Sequence, residues 1–259
     1  MTNRLRSSLP LKRAPRRERS TADTLSFARF SSTRDEAQTA LFAPLHYEPN
    51  YGYPLLVWLH GPQDDEGQLK RIMPLVSMRN YVAVAPRAPR HGGHAAINTG
   101  RLSSGESPLG HWAEAEQGVF DAIETARSRF HIADRRVFIA GFDIGGTMAF
   151  RLAMDNPRRF AGVLSLCGRF PSGQTPFKRL AHARQVPLFL ACGRDSRRYD
   201  TDEVCQHLRL FHSAGMNVSL RQYPCGHEMV PAMLADMDRW IMEQISANST
   251  KAEAAAVED

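Results

Sequence analysis

The run Arg136-Val137-Phe138-Ile139-Ala140-Gly141-Phe142-Asp143-Ile144-Gly145-Gly146 constrains the fold more than any other part of this chain. Val137 to Ala140 is short, continuous and apolar, as a parallel strand covered on both faces must be. Gly141, Gly145 and Gly146 remove side chains where strand and helix backbones have to approach closely. Thr147 to Met154 continues with helix formers. A buried strand turning sharply into a helix is the repeating unit of an α/β sheet, and the rest of the sequence supplies more of them.

Thr24 to Phe30 and Leu41 to Tyr47 read as edge strands. Leu55 to Leu59 and Tyr81 to Ala85 are buried runs closely followed by Gly or Pro, with helices expected over 66–79 and 113–130. The second of these helices keeps Ala115, Val119, Ala122, Ile123 and Ala126 on one face, which is helical spacing. Strand 160–166, strand 187–192, helix 202–214, strand 218–223 and helix 231–246 complete the body. This alternation predicts a mostly parallel central sheet with right-handed crossovers, helices on both faces and no large cap domain. In such sheets functional groups gather beyond the carboxyl ends of the strands.

The length of 259 residues suits one such domain, expected over 23–246, between a disordered basic tail (1–22) and a frayed tail (247–259). No apolar run reaches the roughly 18–20 residues of a membrane span. The start of the chain also lacks the apolar stretch of a secretory signal. Residues 1–19 carry Arg4, Arg6, Lys12, Arg13, Arg16, Arg17 and Arg19 against Glu18 alone, so the tail accounts for the whole formal charge of +6. Such an arm could act on nucleic acid or an anionic surface, or serve as an organelle transit segment. The blander reading, a disordered solubilising tail, is favoured by the composition, and no aromatic residue interrupts the arm to stack on bases. Cys167, Cys192, Cys205 and Cys225 form no C-x-x-C and no zinc spacing, so neither a metal nor a cofactor is expected, and a cytoplasmic location fits.

The strand, turn and helix around Asp143 follow the G-x-S-x-G nucleophile-elbow pattern, with aspartate in the serine's place. Four anchors in order resemble the α/β-hydrolase superfamily, most closely its phospholipase/carboxylesterase branch of small lidless esterases and thioesterases. They are Leu55–Leu59 with His60-Gly61, the elbow Gly141–Gly146, Pro187–Cys192 with Gly193-Arg194-Asp195, and Gly226-His227 before the last helix. The resemblance runs from about residue 40 to 245. It implies a small-molecule substrate or ligand at the elbow, His227 as the triad base and Asp195 as its orienting acid. The branch usually places two residues between the glycine and that acid, whereas Gly193-Arg194-Asp195 leaves one; Asp200 or Asp202 could serve instead.

Two departures strike the same chemistry. Asp143 is not a like-for-like replacement for an alkoxide-forming hydroxyl. Pro62 follows His60-Gly61, where the branch takes a backbone N–H for its oxyanion hole, and proline has none. Ile144 would be the remaining donor, and losing one donor typically costs about 10²–10³ in rate. The leading expectation is therefore a divergent homologue with ordinary serine esterase activity lost or very low. A competing one is a hydrolase using Asp143 as nucleophile with His227 and Asp195, as haloalkane dehalogenases and epoxide hydrolases of the superfamily do. Those enzymes insert a helical cap carrying Tyr or Trp donors; here the stretch after 160–166 holds only Phe170 and Phe177, with Trp112 and Tyr199 as conceivable substitutes. A third expectation is an interaction protein acting through the Arg-rich tail. Asp143 and His227 should pair directly. His91-Gly92-Gly93-His94 follows the wrong strand for an oxyanion loop and is too small a ligand set for a metal, so it reads as a loop with no special chemistry, and nothing places a base beside the serines at 103, 104 and 107.

Overall fold

The computed structural model describes residues 30–32, 39–88, 108–171 and 180–257. The basic tail, most of the strand expected over Thr24 to Phe30, the His91–His94 run and the serines at 103–107 lie outside the described residues.

Eight strands form one sheet: β1 (Phe30–Ser32), β2 (Thr39–Phe42), β3 (Tyr53–Leu59), β4 (Val82–Pro86), β5 (Ile132–Phe142), β6 (Gly162–Leu166), β7 (Leu188–Gly193) and β8 (Val218–Tyr223). Their order is β1-β2-β4-β3-β5-β6-β7-β8. The pairings of β2 with β1 and β4 are antiparallel and the remaining five are parallel. Helices are α1 (Gln68–Val76), α2 (Pro108–Arg129), α3 (Ile144–Asp155), α4 (Leu180–Ala183), α5 (Thr201–Ser213) and α6 (Pro231–Val257).

Successive strand residues point to opposite faces, and both faces are covered. On one face Leu55, Val57, Leu59, Val137, Ile139 and Val163 meet Val119, Ile123 and Ala126 of α2 and Ala149, Phe150 and Leu152 of α3. On the other, Leu56, Trp58, Phe138, Ala140, Leu164 and Phe189 meet Leu69, Ile72 and Met73 of α1 and Met237, Trp240 and Ile241 of α6. Doubly sided burial is why these strands are apolar without alternation. β8, at the edge, exposes Arg221 and Gln222, and β5 exposes Asp134 and Arg135 near its start.

The structure differs from expectation at element ends. The first helix, expected over 66–79, runs through Pro74 and stops at Val76, because Ser77 turns to extended backbone at φ −164° and ψ 137°. The expected edge strand Leu41 to Tyr47 is β2, shifted toward the amino terminus. The last helix, expected to end at 246 in a frayed tail, continues to Val257, consistent with the high helix propensity of its Ala- and Glu-rich end. Among the described residues no helix is long and apolar enough to cross a membrane. The four cysteines are free; Cys167 and Cys192 are buried, Cys225 is half-buried and Cys205 is exposed.

Candidate active site

β5 lies at the centre of the sheet, with Gly141 in register with Leu59 of β3 and Ser165 of β6. Its end delivers Asp143 to the amino terminus of α3. Asp143 has φ 51° and ψ −116°, a positive φ that costs a non-glycine residue strain. The turn is held by Asp143 N–H donating to Leu166 O at 2.8 Å and by Thr147 N–H donating to Asp143 O at 3.1 Å. It is also tight. A Cβ on Gly145 would lie 2.2 Å from Leu59 O, and one on Gly141 would lie 2.4 Å from Gly145 C. Glycine is required at both positions because backbone, not a movable side chain, fills the space.

The Asp143 side chain makes no capping bond to α3. Its Oδ2 lies 2.9 Å from Nη1 of Arg198 and 3.3 Å from Nε2 of His227. The first contact is a hydrogen-bonded ion pair. The second is within ion-pair distance but lacks hydrogen-bond alignment, so Nε2 has no hydrogen-bond partner. The expected direct approach of Asp143 and His227 is thus present, joined by an arginine that the sequence did not flag. Arg198 is exposed and rises from the loop between β7 and α5.

His227 sits in the loop between β8 and α6, its ring 6.0 Å from that of Phe142. Its Nδ1 faces Ser196 Oγ at 3.0 Å. Ser196 is buried, and its oxygen also accepts from Tyr199 N–H at 3.2 Å. Asp195, expected as the orienting acid, is not there: its carboxylate is exposed and pairs with Arg194 Nε at 3.3 Å. The reason lies in the spacing. Gly193 is pressed against the 225–226 backbone, where a Cβ would lie 1.9 Å from Gly226 O. From that anchor the residue facing His227 is three positions on, which is Ser196 and not Asp195. Neither other candidate takes the place: Asp200 caps α5 by accepting from Glu203 N–H at 2.8 Å, and Asp202 is exposed in the first turn.

Pro62 occupies an exposed turn directly after His60-Gly61. That loop rests on Phe142, whose Cδ1 would lie 2.8 Å from a Cβ on Gly61. Ile144 is the first residue of α3, where a helix leaves its N–H groups without internal partners. The aromatic substitutes are engaged elsewhere. The Arg151 guanidinium stacks 4.0 Å over Trp112, and Tyr199 is buried with its hydroxyl 3.0 Å from His207 Nδ1. Cys167 is a poor thiolate: burial pushes its thiol up to about 12, and that of Cys192 to about 11. No cluster of three His, Cys, Asp or Glu among the described residues could hold a metal.

Ser196 had a legible signal, since the two residues between it and Gly193 match the spacing of the branch's acid. Arg198 had none.

A family model described as phospholipase/carboxylesterase matches residues 113–245, just over half of the chain. Solved structures share the fold at low identity. S-formylglutathione hydrolase (FrmB) from Staphylococcus aureus superposes with a TM-score of 0.63 at 14% identity, covering 85% of this chain and 98% of that one. SOBER1 from Arabidopsis thaliana gives 0.60 at 20% identity, covering 75% and 100%. A ferulic acid esterase from Anaeromyces mucronatus, solved with ferulic acid, gives 0.59 at 10% identity, covering 87% and 93%.

Proposed function

Because the chain belongs to the phospholipase/carboxylesterase family of α/β-hydrolases, we propose that it is a member whose ordinary serine esterase activity is lost or very low and whose elbow site binds a small molecule. One observation carries the reading: the side chain at the tip of the elbow is a carboxylate, ion-paired with Arg198 at 2.9 Å. Acyl transfer to a carboxylate would form a high-energy anhydride, so an ester is a poor substrate for this group. An arginine on the same oxygen further lowers its tendency to attack. Pro62 removes one of the two N–H donors a tetrahedral intermediate needs.

A second reading is favoured by the other carboxylate oxygen. Arg198 and His227 both approach Oδ2, and Oδ1 has no partner among the described residues. A free carboxylate oxygen can displace a leaving group at sp³ carbon, giving an alkyl ester for water to hydrolyse.

The two readings separate when the purified protein and its Asp143→Ala variant are assayed side by side on acyl esters, thioesters, epoxides and haloalkanes. The expected result is no turnover by either. Turnover that disappears in the variant would sink the proposal, make Asp143 the nucleophile and identify the bond type.

A further inference from the structure

We infer that this site is a catalytic triad with its two end members exchanged: the carboxylate, Asp143, stands in the nucleophile's place, and the hydroxyl, Ser196, stands in the acid's, with His227 between them. The inference accepts the reading above for Asp143 and adds the partner on the far side of the ring. Ser196 is the third residue after Gly193, the position the acid holds when two residues separate it from that glycine. Its oxygen lies 3.0 Å from Nδ1 of His227, the ring atom an orienting acid addresses.

Ser196 is not a displaced nucleophile. It is 5% exposed, so no substrate reaches it. Its oxygen accepts from Tyr199 N–H, which leaves the hydroxyl proton free to be donated to Nδ1. With Nδ1 accepting, the neutral ring carries its proton on Nε2, the nitrogen that lies 3.3 Å from the Asp143 carboxylate without being aligned to bond it. A serine hydrolase needs the opposite tautomer, with Nδ1–H donated to the acid and Nε2 free to take the nucleophile's proton. The exchange therefore inverts the ring's proton placement, and the whole unit, rather than one residue, is turned away from ester chemistry.

Exchanging the ends back should restore the ordinary polarity. The probe is an alkyl fluorophosphonate, and the variants are Asp143→Ser alone and Asp143→Ser with Ser196→Asp. The introduced hydroxyl oxygen attacks phosphorus, its proton passes to Nε2 of His227, the P–F bond breaks and fluoride leaves. The reaction is stoichiometric and can be followed for hours, so the donor missing at Pro62 slows it without hiding it. The double variant should label roughly 10²- to 10⁴-fold faster than the single one, the range over which loss of the correct tautomer slows a triad. Equal rates, or no labelling of either folded variant, would overturn the exchange.

Circular dichroism establishes that the variants fold. If the double variant does not, ¹⁵N spectra of the unaltered protein decide the matter, recorded at a pH where the ring is neutral. Nε2–H is expected as the major tautomer of His227, and Nδ1–H would refute the inference. Ester turnover by the unaltered protein tests the earlier reading instead, so the two can fail separately.

Discussion

Residue 143 bears two separate costs, a backbone at φ 51° and a side chain with no cap to make. Positive φ in a non-glycine residue typically costs about 1–3 kcal/mol. The ion pair to Arg198 offsets little of this, because that arginine is 65% exposed and such pairs are worth about 0–1 kcal/mol. Asp143→Gly should therefore raise stability by about 1 kcal/mol, seen as a Tm increase of roughly 2–4 °C. A lower Tm would mean that the carboxylate contributes more than its geometry indicates. Asp143, Pro62 and His227 were legible in the sequence because each stands in a motif with fixed local geometry. Ser196 is legible only through its two-residue spacing from Gly193, whereas the role of Arg198 depends on how the loop after β7 packs against the elbow, and no local pattern encodes that approach.

At the scale of elements, β3 and α1 are joined by a buried hydrogen bond. Trp58 Nε1–H donates to Gln68 Oε1 at 2.6 Å, and Gln68 in turn donates to Asp64 Oδ2 at 2.8 Å. Trp58 is fully buried, so removing its acceptor leaves an indole N–H with neither protein nor water. Gln68→Leu should cost about 1–3 kcal/mol, measured as a lower urea midpoint with an unchanged slope. An unchanged midpoint would show that the indole finds another acceptor. The same substitution cuts the tie to the loop that bears Pro62. The apolar runs within β3, β4, β5, β6 and β7 made those strands legible, since burial on both faces favours apolar residues at successive positions. Helix ends were read less well: the carboxyl end of α6 was expected to fray for want of an apolar face, and its helix-forming residues carry it to Val257.

The molecule as a whole holds several protons more tightly than its unfolded chain does. Burial raises the thiols of Cys167 and Cys192 from an ordinary value of 9.0 to about 12 and about 11. It also raises the phenols of Tyr81, Tyr199 and Tyr223 above 10.0, with Asp238 and Asp236 reinforcing the effect at Tyr81 and Tyr223. Raised values in the folded state mean that the stabilisation is complete below about pH 9 and drains away as the unfolded chain begins to ionise. Thermal melts should show a falling Tm above pH 9, steepening past pH 10 as the phenols join, with each group adding up to about 1.4 kcal/mol per pH unit. A flat profile to pH 10.5 would contradict this. The four free cysteines also differ in how far solvent reaches them, which grades their expected order of alkylation. Cys205 is open to an alkylating reagent from the outset and Cys225 is half-shielded, while Cys167 and Cys192 stay silent until the strand ends beneath the site part.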